Sequence, residues 1–186
     1  MLEGRLVRLR SLEPSDAERA YTWINDREVT RFLMARYPMS HGDEAKWLAD
    51  STLANGFAND VRLAIDTKDG THIGAIGLHK IKPEDRNAEL GIMIGDKSCW
   101  SNGYGTDAIE TLLRFAFHNM NLHRVELGVF EFNERAQACY RKCGFVEEGR
   151  QRDAYFQDGR YWDIFRMGIL RPEFHALHGD GSTPTA

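Results

Sequence analysis

The stretch WSNGYGTDA, residues 100–108, places two glycines around a tyrosine directly before an apolar-striped segment. The first four N–H groups of a helix lack intrahelical partners, and they carry partial positive charge. Glycines at such a start let a ligand approach the backbone, and phosphate or pyrophosphate is the natural guest. A capped helix after a plain turn would explain the same residues. Two nucleotide motifs can be tested here. A P-loop needs a lysine between its last glycine and Ser/Thr, but Thr106 follows Gly105 directly. A dinucleotide loop tolerates Ala108 in its third glycine position and could use Glu126 or Glu131 as its acidic residue. It should, however, follow the first strand of a parallel series, and three or four strands precede it here. A second constellation is N-x-x-A-x-x-x-Y, in which Asn133 and Tyr140 lie two helical turns apart and share a side. Cys139 and Cys143 share a helical face as well, but no second Cys/His pair has matching spacing, so no metal is expected.

The elements that must position these groups follow from periodicity. GRLVRLRSL alternates and reads as a strand. EPSDAERAYTWIND reads as a helix with Pro14 in its first turn, DREVTRFL as a short helix, and MSHGDEAKWLADSTLAN as a third with Ser40 as N-cap. DVRLAIDT, the turn KDGT and HIGAIGLHKI read as a hairpin, followed by the strand NAELGIMIGD. Ile109, Leu112, Leu113, Ala116 and Met120 predict a helix from about Gly103 to Asn119. HRVELGVFE is a strand, NERAQACYRKCG a helix closed by Gly144, and FVEEGRQRDAYF, QDGR and YWDIFRMGIL a last hairpin. The tail HGDGSTPTA is expected to fray. This order predicts one α+β domain over residues 1–172, with a mixed sheet and packed helices, and a tail over 173–186.

The chain has 186 residues, enough for one domain with a core, and 28 acidic against 24 basic residues give a net charge of −4. That balance argues against a general nucleic-acid binder. No apolar run approaches the ~20 residues of a spanning helix, and MLEGRLVRLR has no signal-peptide apolar region. Three free cysteines, Cys99, Cys139 and Cys143, fit a reducing cytoplasm.

AELGIMIGDKSCWSNGYGTDAIETLLRFAF followed by NERAQACYRKCGFVEEG resembles the GNAT superfamily of acetyl-coenzyme A-dependent N-acetyltransferases. More narrowly it is similar to the branch of ribosomal-protein N-terminal and spermidine acetyltransferases. The likeness runs from about Leu6 to Leu170 and is strongest from Glu89 to Gly149. It implies a mostly antiparallel twisted sheet of about seven strands, with a parallel splayed pair and helices on both faces. The usual phosphate loop, [RQ]-x-x-G-x-[GA], has Trp100 in its first position here, which removes a side-chain donor.

The resemblance implies that Ser101, Asn102, Gly103, Tyr104, Gly105 and Thr106 cradle the pyrophosphate of acetyl-coenzyme A. Backbone groups of Ile92, Met93 and Ile94 would pair with the pantetheine arm, and one N–H would face the thioester oxygen. Tyr140 would be the acid for the leaving thiolate, beside the coenzyme, and Asn133 would contact the pantetheine or cap its helix. Glu89 would be the base, through a water. His118 and His123 are read as structural. The acceptor amine would meet the first helices and last hairpin, where Trp23, Phe32, Tyr155 and Tyr161 could wall it and Asp26, Glu28, Asp153 and Asp163 attract it. A protein N-terminus, polyamine, amino sugar or aminoglycoside could be that acceptor. A homodimer is implied as well. A coenzyme A-binding module without catalysis is the alternative.

Overall fold

The computed structural model describes residues 1–54 and 60–179. The expected order of elements is present. Strands are β1 (Leu2–Glu3), β2 (Val7–Ser11), β3 (Val61–Thr67), β4 (His72–Lys82), β5 (Asn87–Ile94), β6 (Arg124–Phe130), β7 (Val146–Gln157) and β8 (Arg160–Leu170). Helices are α1 (Ala17–Ile24), α2 (Arg27–Thr30), α3 (His41–Ala54), α4 (Tyr104–His118), α5 (Glu134–Lys142) and α6 (Arg171–His178). The sheet order is β1-β2-β3-β4-β5-β6-β8-β7. Only β5 and β6 are paired in parallel among the described pairings. The mixed, mostly antiparallel α+β sheet is therefore as expected. Its eighth strand is the two-residue β1, which precedes the alternating stretch GRLVRLRSL and was not expected.

Two compact units are built from this chain, residues 1–80 with 91–112, and residues 81–90 with 113–186. In the first, β1–β4 form an antiparallel meander whose inward residues Val7, Leu9, Ala64, Ile65, Ile73 and Leu78 are fully buried. Pro14 opens a 3-10 turn rather than α1 itself. Ser40 caps α3 as expected, its Oγ accepting the Asp43 N–H at 3.1 Å.

The second unit pairs β8 with β6 on one side and β7 on the other. Leu127, Met167 and Ile169 fill its core. Asp158 and Gly159 turn the last hairpin at φ +52° and +81°. Such left-handed pairs match strand twist. Gly144 stands at φ +98° just past α5, where its N–H reaches the Arg141 carbonyl at 3.0 Å. The expected tail begins too early at 173. Residues 171–178 form α6, with Pro172 in the first turn and Glu173 Oε2 accepting the Leu170 N–H at 2.7 Å. Phe174 is fully buried against Phe117 and holds the helix down. Residues 180–186, where fraying was expected, lie outside the described residues.

Candidate active site

The glycine loop opens α4 as the sequence suggests. Ser101 stands at φ +63° and Gly103 at φ +85°. The Asp107 N–H bonds back to the Gly103 carbonyl at 3.0 Å. The N–H groups of the turn before it belong to the class that a helix cannot satisfy internally. Asn102 Nδ2 donates to the Ser98 carbonyl at 3.0 Å and so shapes the loop from within. Trp100, the departure from the usual motif, has a visible task. Its Nε1 donates to the Ile94 carbonyl at 2.7 Å and ties the loop to the end of β5. Gly103→Val should weaken coenzyme A binding at least tenfold in calorimetry. A β-branched residue is strained at φ +85°, by about 1–3 kcal/mol, and its methyls would stand over the turn. Unchanged affinity in a folded variant would contradict this.

Behind the loop, α4 is fastened by Asp107. This buried carboxylate accepts the backbone N–H groups of Arg5, Leu6 and Val7 at 3.0, 2.7 and 3.0 Å. Burial alone would raise its pKa, but the three donors and the Arg5 side chain outweigh burial and hold it below the ordinary carboxylate value.

The parallel pairing of β5 joins Asn87–Glu89 to Arg124–Glu126, and β5 continues through Ile94. Ile92 and Met93 line a cavity of about 270 Å³ in the first unit. Ile94 gives one lone pair of its carbonyl to Trp100 Nε1 at 2.7 Å. Gly74 lies against the Met93 carbonyl, into which any Cβ there would run. Trp23 is buried in the cavity wall, its ring under Gly95 and meeting the His72 ring in a T shape with centroids 5.0 Å apart.

His72 is itself buried, with Nε2 2.9 Å from the Gly74 carbonyl and Nδ1 3.3 Å from Asp16 Oδ1. Arg10 links Asp16 at 2.8 Å to Asp66 at 2.7 Å behind it. Burial pushes His72 below its ordinary value of 6.5, against the opposing pull of Asp16. The unfolded chain therefore takes up the proton first. Stability should fall as pH drops below 6.5, down to the lower folded value. His72→Gln should flatten the melting temperature over that window. An unchanged slope would contradict the assignment.

Asp26 and Glu28, expected to attract an acceptor cation, instead hold Lys97. Its Nζ lies 2.8 Å from Asp26 and also contacts Glu28. Asp26 caps α2 as well, accepting the Glu28 N–H at 2.8 Å. Phe32 meets Trp100 edge-on at 6.4 Å.

In the second unit Asn133 caps α5, its Oδ1 accepting the Ala136 N–H at 3.2 Å. This is one of its two expected roles, and it leaves the Nδ2 amide as a donor. Tyr140 is half-buried, its ring 5.9 Å from Phe145. Burial above all, with the thiols of Cys139 and Cys143, pushes its phenol well above the ordinary value, so the hydroxyl keeps its proton near neutral pH. Glu89 meets Arg166 Nη1 at 3.3 Å, and Arg166 Nη2 holds Glu126 at 3.1 Å. Tyr155 packs on Phe130 at 4.2 Å and is a core residue. Asp163 is buried, pairs with Arg150, and accepts the Asp153 N–H at 2.8 Å. Tyr161 is exposed beside Phe156. His118 Nε2 lies 3.0 Å from His175 Nε2. Among the described residues no group of three or more metal-ligating side chains converges.

Comparison with known proteins gives this arrangement its class. Residues 6–146 match the family described as acetyltransferase (GNAT) domain. A spermidine N(1)-acetyltransferase of Vibrio cholerae is 30% identical over 166 residues, covering 89% of this chain and 94% of that protein. The putative ribosomal N-acetyltransferase YdaF of Bacillus subtilis is 29% identical over 176 residues, covering 90% and 93%. The crystal structure of the Vibrio cholerae spermidine N-acetyltransferase with CoA and spermine matches at a TM-score of 0.81 and 29% identity, over 91% of this chain and 98% of that one. The chain belongs to the GNAT acetyltransferase family. It is an N-acetyltransferase that moves the acetyl group of acetyl-coenzyme A to an amine.

Proposed function

We propose that the acceptor is a small-molecule primary amine whose nitrogen attacks the thioester of acetyl-coenzyme A directly within a ternary complex. The observation that carries this reading is the bond from Trp100 to Ile94, which fixes a left-handed loop and helix start at the end of β5. On this reading backbone N–H groups of Ser101–Thr106 receive the pyrophosphate, and Ile92 and Met93 receive the pantetheine amides. Their N–H groups supply the oxyanion donor for the thioester carbonyl, a kind of contact worth about 3 kcal/mol in other enzymes. Asn133 Nδ2 donates to the same arm. Tyr140 protonates the leaving thiolate. Trp23 is the acceptor-side residue best supported, because it walls the cavity that Ile92 and Met93 line. Phe32 stands at the Trp100 end of the same unit. Tyr155 has the weakest support, since it packs in the core of the last hairpin, whereas Asp153 gives only its backbone N–H there.

The relatives named for spermidine support a small amine. The family resemblance further implies a cytoplasmic homodimer, and gel filtration checks the dimer. Initial rates with both substrates varied should give intersecting double-reciprocal lines. Parallel lines would mean an acetylated enzyme and would contradict direct attack.

A further inference from the structure

An alkylamine arrives as an ammonium near neutral pH, so some group must take its proton before nitrogen can attack. Glu89 is held by Arg166. The cavity beside Ile92 and Met93 contains a different carboxylate, Glu44 of α3, which is only 3% exposed. Among the described residues its side chain has no hydrogen bond and no ion pair. The other ionisable groups of the wall are matched. Arg62 of β3 pairs with Asp60 at 2.8 Å, His79 of β4 lies 3.6 Å from Asp60, and His72 of β4 faces Asp16 and the Gly74 carbonyl. The remaining wall is mainly apolar, with Trp23 and Trp47 as its largest members. A buried carboxylate without a partner costs free energy that packing does not return.

We infer that Glu44 is the general base, receiving the acceptor's ammonium in this cavity, and that the acceptor carries an apolar body. The inference rests on the placement of acetyl-coenzyme A along Ile92 and Met93 given above. In the step, one N–H bond of the ammonium breaks and its proton passes to the Glu44 carboxylate. The freed lone pair forms the C–N bond, the C–S bond breaks, and coenzyme A leaves as its thiolate. Tyr140 protonates that thiolate, and the second nitrogen proton restores the phenol. The proton on Glu44 then leaves to solvent. Burial raises the Glu44 pKa toward the working range, which suits a base.

The test compares wild type, Glu44→Gln and Glu89→Gln by pH profiles of kcat. The acceptor is whichever of n-hexylamine, phenethylamine, spermidine, an aminoglycoside and a Ser-initiated peptide turns over fastest. Glu44→Gln should lower kcat about 10²-fold and lose the acidic limb of the profile, with coenzyme A affinity and melting temperature retained. Glu89→Gln should keep the limb. Glu44→Ala should be partly rescued by formate, which a merely structural role would not show. A limb that survives in Glu44→Gln, or that is lost in Glu89→Gln, overturns the assignment. A preference for the aminoglycoside or the peptide overturns the apolar body. An inactive wild type that binds no coenzyme A would instead overturn the acetyl-coenzyme A placement.

Discussion

On the proposed acid role, Tyr140→Phe should lower kcat by about 10²-fold or more while coenzyme A affinity stays near wild type. The substitution removes one oxygen and keeps the ring against Phe145, so packing of α5 is preserved. What it would remove is the proposed proton donor. The phenol lies well above its ordinary pKa because burial disfavours the phenolate. It therefore stays protonated across the working range, and the wild-type rate should show no Tyr140 titration near neutral pH. Single-turnover rates of thiol release compare the two proteins directly. Equal rates would remove the acid role from Tyr140 and return it to packing.

Asp107→Ala should lower stability by about 3–5 kcal/mol. Three backbone N–H groups, of Arg5, Leu6 and Val7, lose their acceptor at once. Each buried donor left unpaired costs about 1–3 kcal/mol, discounted here because Arg5 and Leu6 lie nearer water. The chemical denaturation midpoint measures the loss. Asp107→Asn, which keeps one acceptor oxygen, should lose less. The folded pKa is depressed, so this contribution is present above the ordinary carboxylate value of 3.8 and is lost as pH falls through the lower folded one. A midpoint in Asp107→Ala equal to wild type would contradict the account of how β2 is fastened to α4.

Much of this molecule was legible from local pattern. Alternation gave the strands, the 3.6 period gave α4, and Ser40, Gly144 and Asp158–Gly159 marked cap, stop and turn because each answers to its own few neighbours. The limits appear where a partner is distant in sequence. Asp107 drew no expectation from the sequence, because its three donors lie about a hundred residues earlier. Asp26 and Glu28 read as open charges because nothing local announces Lys97. Glu44 follows Asp43 in the first turn of α3, and nothing local marks it as different from its neighbour. Only the packed wall of the cavity shows it to be buried. Helix α6 did carry a signal, Pro172 followed by Glu173, but one buried residue, Phe174, is too short a stripe to announce a helix.

The most direct measurement of the central claim mixes purified protein with acetyl-coenzyme A and the amine panel, then follows free thiol and the mass of the product. The reading predicts amine-dependent thiol release with one acetyl group added to the amine nitrogen. No thiol release with any amine, together with no coenzyme A binding in calorimetry, would contradict it.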